Sequence, residues 1–384
     1  MLLKRFCGLA ALLLIIASAA PAKGATYSYL LTVARGTGGG VALFHHRPLP
    51  GFGGYQLTLY GFSPVEGGVW LASYWSRHEA GVARGPGDCF WVLANRGRGS
   101  EAVLVGAKCF RLGRKFAWHA ALYHLGPPAI ATASDGTVWL WLASKSWRRI
   151  QLRVFSPGLR RQLGVYALPR QKKMVIYWWA LAGKQAVVFI NTTGRPLAKT
   201  CDVLVINEGG RVRATDLTKR IGWHPFFLSS AGSFFSGLAP ARPSLGPAAH
   251  GRVAFRKMVS FEVLPSGKLA RVRTVRVASP QHRTFFVAAY ALLDQHTALA
   301  SLELRHGSGY SYELARISVA SGKVERSVAI PYPAHKIIVS SGVVYLMSNG
   351  ELIRAYTPSL RLLGRYQPIN PVVAAAAVAP ARGP

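Results

Sequence analysis

Basic residues interleaved with aromatics are the feature of this sequence best equipped for chemistry. Lys145, Trp147 and Arg148 share one polar stretch, and Arg170 and Lys172 share another. Lys219, Arg220, Trp223 and His224 form a third, while Arg283 and Arg305 fall in two more. Arginine forks hydrogen-bond phosphate, sulfate or carboxylate, and aromatic faces stack on sugars or bases. The implied chemistry is capture of an anion. Bond-breaking chemistry has no comparable signature, and no catalytic residue is identifiable. No Gly-x-Ser-x-Gly elbow occurs, and residues 36–40 (Gly-Thr-Gly-Gly-Gly) lack the Lys-Ser/Thr of a phosphate loop and read as a hairpin turn. His45 and His46 would point to opposite faces of a strand, and no His-x-His or Cys-x-x-Cys pair exists. No metal site and no cofactor are therefore expected. Glu66, Glu79 and Asp88 lie in or near loops, and a glycosidase or lyase site would need two such acids to converge.

The elements that position these residues are strands. The 384 residues are half hydrophobic and 11% aromatic, enough for a large core, so global disorder is excluded. Forty Gly and 23 Pro favour a turn-rich, all-β chain. Short apolar, β-branched runs at 336–339, 343–347, 351–356 and 360–366 alternate with Ser-Ser-Gly, Ser-Asn-Gly and Thr-Pro-Ser turns. This four-strand meander recurs over 284–330, 173–218 and 129–168. Looser copies cover 225–277 and 69–126, and residues 26–62 offer three strands. Trp223 to Phe227 and Phe234-Phe235 read as packed strands of the looser fifth copy. A unit of 30–60 residues cannot bury both its faces alone, but stacked copies can. About seven such units resemble a β-propeller, with six or eight also compatible with the spacing and tandem β-sandwich domains as the rival. The resemblance is architectural, with no Trp-Asp, kelch or calcium-loop signature. It implies a propeller over residues 25–371, with 372–384 supplying a ring-closing strand (372–378) and an Ala/Pro-rich tail.

In a propeller, the connections after the first and third strands of each unit share one rim, and those after the second and fourth share the other. From residue 129 onward, the first set carries Lys184 against Asp135, Glu208 and Asp294. The second carries Lys145, Arg148, Arg170, Lys172, Arg195, Lys219, Arg220, Arg242, Arg283 and Arg305, without an acid. The expectation is one cationic rim and one near-neutral rim. Arg149 and Arg153, alternating with apolar residues, read instead as a solvated strand face.

Lys4 and Arg5, an apolar run from 6 to 20 and small residues at Ala22 and Gly24 read as an export signal over residues 1–24, with a retained anchor as the rival. Cleavage after Gly24 removes Lys4, Arg5 and Lys23 and takes the formal charge from +33 to +30. A secreted or cell-surface location permits disulfides, and a hairpin centred on residue 99 would set Cys89 opposite Cys109. Asn191-Thr192-Thr193 is a glycosylation triplet in an expected turn. Together these features point to a binding or scaffold protein for acidic polysaccharide, an anionic lipid surface or an acidic envelope protein. A hydrolase or lyase of acidic glycans is the alternative, and export disfavours nucleic acid as the partner.

Overall fold

The computed structural model describes residues 29–35, 41–49, 54–63, 67–76, 80–86, 89–96, 98–106, 109–120, 129–145, 149–168, 174–192, 200–207, 210, 212–222, 226–240, 255–278, 285–306, 309–340, 342–348 and 353–366. Among these residues the chain forms seven antiparallel sheets, each a meander of consecutive strands. The first comprises β1 (Tyr29–Arg35), β2 (Val41–Leu49), β3 (Gly54–Ser63) and β4 (Gly67–Ser76). The second is β5 (Ala80–Arg84), β6 (Phe90–Arg96), β7 (Gly99–Gly106) and β8 (Cys109–Phe116). A two-residue strand, β9 (His119–Ala120), joins the third, which is β10 (Ile130–Thr132), β11 (Val138–Ala143), β12 (Ile150–Phe155) and β13 (Gln162–Ala167). The fourth is β14 (Met174–Ala182), β15 (Gln185–Thr192), β16 (Thr200–Asn207) and β17 (Val212–Asp216), followed by helix α1 (Leu217–Ile221). The fifth is β18 (Phe226–Ala231), β19 (Phe234–Pro240), β20 (Phe255–Val263) and β21 (Leu269–Arg276). The sixth is β22 (Phe285–Leu292), β23 (Thr297–His306), β24 (Gly309–Ser318) and β25 (Val324–Ile330). The seventh is β26 (Ala334–Ser340), β27 (Val343–Ser348), β28 (Ile353–Tyr356) and β29 (Leu362–Tyr366).

The first strands of successive sheets touch one another in order, β1 to β5 to β10 to β14 to β18 to β22 to β26, and β26 returns to β1. The sheets therefore close a ring, with the first strand of each innermost. The first sheet draws its fourth strand from β4, so the expected boundary at residue 69 moves to residue 80. The sequence 77–79 (Arg-His-Glu) between those sheets carries no Gly, Pro or Asn, whereas Gly67-Gly68 imitates a boundary. Residues 372–378, expected to close the ring, lie outside the described residues.

Burial on both sheet faces is what holds the ring. Every residue of β11 (Val-Trp-Leu-Trp-Leu-Ala) is buried. Val138, Leu140 and Leu142 pack with Trp91, Leu93 and Leu104 of the second sheet. The alternate Trp139, Trp141 and Ala143 pack with Trp179, Val188 and Ile190 of the fourth. Trp141 and Trp179 stack at 5.6 Å. The period-2 alternation of a strand thus serves two neighbours at once, and a single sheet could not bury both. Phe235, expected as packed, is fully buried and stacks on Phe261 at 5.5 Å.

Polar ties cross the same junctions. The Tyr290 hydroxyl lies 2.7 Å from the Ser236 hydroxyl, which in turn donates to the Val259 carbonyl at 2.8 Å. Ser301 accepts from the Ala334 amide at 2.9 Å, and Ser229 accepts from the Leu292 amide at 2.9 Å. The Asn95 side chain donates to the Ala120 carbonyl and accepts from its amide, as a strand neighbour would.

A repeat not legible in the residue pattern appears in the register. The pairing steps by one residue in the outer strand of six sheets, at Leu71, Gly113, Leu163, the Arg271–Val272 pair, Glu325 and Leu363. Such bulges sharpen twist. At Gly113 a Cβ would collide with the Ala102 carbonyl, so glycine is required. A second repeat is visible once aligned. Ser156-Pro-Gly-Leu159 and Thr357-Pro-Ser-Leu360 form the same turn, with Leu159 and Leu360 buried at positive φ and each hydroxyl accepting a downstream arginine amide at 3.0 Å.

Candidate functional site

Local chemistry builds the basic corner at α1. Asp216 caps the helix by accepting from the Lys219 amide at 3.0 Å, and left-handed Gly222 ends it with an amide donated to Thr218 at 2.7 Å. Leu217 and Ile221 pack into the core between the fourth and fifth sheets, which turns Lys219 and Arg220 outward. By its polar composition this stretch reads as a loop, although an Asp cap and a closing Gly are a readable helix signal. Lys219 Nζ lies 3.6 Å from Asp216, and Arg220 donates to the Leu269 carbonyl at 3.4 Å.

The corner is not free of acid. Asp202 on β16 stands directly opposite Asp216 on β17. Burial, reinforced by the Asp216 charge, holds the Asp202 carboxyl above the ordinary aspartate range. The pair escaped sequence reasoning because both acids sit on strands, not in connections. It lies on the outer two strands, and Asp216 is committed to capping α1.

The other expected binding residues are dispersed. Lys145 is exposed in the connection between β11 and β12. Arg305 is exposed near the end of β23, on a strand instead of the expected loop. Lys219 and Arg220 are brought together, while Lys145 and Arg305 belong to the third and sixth sheets. Trp147, Arg148, Arg170, Lys172, Trp223, His224 and Arg283 lie outside the described residues, as do Glu66, Glu79 and Asp88. Asn191 sits within β15, paired to Val175 and Cys201, and not in a turn.

The division into a cationic and a neutral rim holds less sharply than the loop pattern implies. With observed strand ends, the connections expected to be near-neutral are flanked by Arg160, Arg161, Lys268, Lys323 and Arg361, all exposed. The rims also meet at the outer edge. The Ala278 amide, beyond β21, donates to Gly322 in the turn between β24 and β25 at 3.0 Å, and Arg273 donates to Ala320 in that turn at 3.4 Å. Alternation alone would assign these two connections to opposite rims. Sheet twist accumulates from inner to outer strand and swings the outer ends toward the next unit. The basic surface therefore continues round the periphery.

The innermost strand of the seventh sheet carries a residue that the loop pattern does not single out. Lys336 lies on innermost β26, beside the register step at His335, and similar steps occur in β1, β14, β18 and β22. The residue is only half-buried, yet its amine is enclosed enough that desolvation lowers it from 10.5 to about 8. Among the described residues, no group of three or more His, Cys, Asp or Glu gathers to hold a metal.

Cys89 is disulfide-bonded. The turn after β6 is centred between residues 97 and 98, not at 99, because Arg96 pairs with Gly99. Cys109 therefore begins the following strand, β8, opposite Gly106 of β7, in the same sheet as Cys89. Cys89 and Cys109 therefore do not face each other on adjacent strands as the hairpin centred on 99 implies, because β7 lies between β6 and β8. The Cys109 side chain is outside the described residues.

No family model and no curated protein matches the sequence. Solved structures do. Hydrazine synthase of Kuenenia stuttgartiensis aligns over 90% of this chain and 99% of its own, at 10% identity and a TM-score of 0.51. BamB from Moraxella catarrhalis aligns over 89% of this chain and 92% of its own, at 9% identity and a TM-score of 0.42. A europium-containing methanol dehydrogenase covers 89% and 80%, at 10% identity and 0.46. These are propeller-type proteins of varied function, and likeness at such identity concerns architecture. With its meander sheets closed through their first strands into a ring, the chain is a β-propeller without a subfamily signature.

Proposed function

We propose that this is an exported cell-surface binding or scaffold protein whose basic connections and outer edges dock an acidic polysaccharide, an anionic lipid surface or an acidic envelope protein. One observation carries the reading: cation without counter-charge. Ion pairs among the described residues include Lys184–Asp135, Lys219–Asp216, Arg271–Glu262 and Arg316–Glu325. Lys145, Arg149, Arg160, Arg161, Lys257 and Arg276 are exposed and belong to none of them. Uncompensated positive charge on this scale repels itself and is relieved by a polyanion, which it also steers. No helix among the described residues is long and apolar enough to cross a membrane.

The test compares binding of the mature protein to acidic polysaccharide, anionic vesicles and DNA at low and high salt. Variants reversing Lys145, Arg170, Lys219 and Arg220 to Glu run beside reversals on the strand faces. Selective, salt-sensitive binding to one ligand, lost in the connection variant alone, is expected. Weak binding to every ligand, reduced equally by either variant, would refute a defined docking surface.

A further inference from the structure

On the outer strands of the fifth sheet, Lys257 of β20 and Arg276 of β21 stand directly opposite one another in the antiparallel register. Directly opposed side chains share a sheet face with their Cβ atoms only about 5 Å apart, and like charges so placed destabilise the pair. Both residues are exposed, and neither has an acidic partner among the described residues. They border a recess of about 470 Å³ lined by Lys257, Thr274, Val275 and Arg276. Among the described residues, the lining thus offers an ammonium, a guanidinium fork and a hydroxyl, with no carboxylate.

The recess is also held in place. The turn of the sixth sheet at Gly322 abuts the end of β21, and a Cβ on Gly322 would collide with the Arg276 carbonyl. Gly322 has φ +72°, and its carbonyl accepts from the Ala278 amide at 3.0 Å. Arg273, on the same strand, donates to Ala320 of that turn at 3.4 Å. The neighbouring sheet therefore fixes the backbone that carries Arg276 before any ligand arrives, which lowers the ordering cost of binding.

We infer that this recess binds the oxyanion group, sulfate, phosphate or carboxylate, of an acidic polysaccharide, an assignment that rests on the polyanion-docking reading above. An anion between Lys257 and Arg276 converts their mutual repulsion into two charge-assisted contacts, with Thr274 supplying a third hydrogen bond. The volume suits a sugar unit bearing its anionic group. A concave site between strands receives a slender chain better than a flat bilayer, which favours polysaccharide over lipid.

The experiment measures dextran sulfate affinity at low salt for the full mature chain, for Lys257→Gln/Arg276→Gln, and for Arg326→Gln/Arg365→Gln, which removes equal charge elsewhere. In parallel, acetylation of Lys257 is followed by mass spectrometry with sodium sulfate or with chloride at matched ionic strength. The expected result is an affinity loss of about 30-fold in the recess variant against less than about 3-fold in the control, from two charged hydrogen bonds. Sulfate should also slow Lys257 acetylation relative to chloride. Equal losses in both variants would overturn the recess while leaving a diffuse polyanion surface standing. No dextran sulfate binding, with Lys257 still shielded by sulfate, would overturn the polysaccharide assignment but retain a small-anion site. No binding and no shielding would overturn everything proposed for this face. Vesicles of anionic phospholipid whose binding depends on Lys257 and Arg276, where dextran sulfate does not bind, would replace polysaccharide by lipid phosphate.

Discussion

Replacing Lys336 by Met should remove part of the protein's alkaline stability profile. Burial lowers the amine from 10.5 to about 8. That drop corresponds to about 3 kcal/mol against the charged form at pH 7, an upper bound because the side chain is only half-buried. The sign follows from linkage. Between about pH 8 and 10.5 the folded state has released a proton that the unfolded chain still holds, so wild-type stability rises with pH across that window. Below pH 8 both states are charged, and the full penalty applies. Met fills the same volume without titrating. The assay is urea unfolding of wild type and Lys336→Met at pH 7, 8, 9 and 10.5. Taking the difference between the two proteins cancels the titration of every other lysine and tyrosine. The stability of the variant relative to wild type should fall by up to about 3 kcal/mol between pH 7 and pH 10.5. A difference that stays constant over this range would refute the enclosed-amine argument.

Other consequences follow from particular contacts. Tyr290→Phe and Ser236→Ala should each cost about 1–2 kcal/mol, with a coupling of about 1 kcal/mol in a double-mutant cycle, because one hydrogen bond joins them across the fifth and sixth sheets; additive losses would show the tie to be idle. Trp141→Ala should lose about 3–5 kcal/mol, read by thermal or urea unfolding, since the ring is fully buried and stacked on Trp179. Gly322→Ala should destabilise by at least about 1 kcal/mol and weaken dextran sulfate binding as well, because the new Cβ displaces the backbone carrying Arg276; unchanged affinity would detach that turn from the recess. Asp202→Asn should stabilise near pH 7 but not at pH 3. Its carboxyl is held above the unfolded value, so the wild type loses stability as pH rises through that range, and the Asn variant does not.

Most strands were legible because turn chemistry punctuates them. Ser-Ser-Gly at 340–342 and Ser-Asn-Gly at 348–350 mark the edges of β27 closely, and Asp294 opens the turn before β23 by accepting the His296 and Thr297 amides. Where a boundary lacked Gly, Pro or Asn, as at 77–79, the reading slipped by a whole strand. The candidate site was legible only in part. Loop arginines declare themselves by contrast with apolar neighbours. Lys257 and Arg276 lie on strands among Val, Thr and Phe, where a lone cation reads as a solvated face. Lys336 opens an apolar strand and reads as its edge.

The sequence by itself determined the strand periodicity, the four-strand unit and the excess of positive charge, because these are properties of adjacent residues and of composition. Only the tertiary structure decided which cations share a surface. Lys257 and Arg276 are 19 positions apart and become neighbours through pairing register. Gly322 reaches Arg276 because twist carries an outer strand toward the next sheet, a displacement that sums over a whole unit and leaves no trace in any short window of residues.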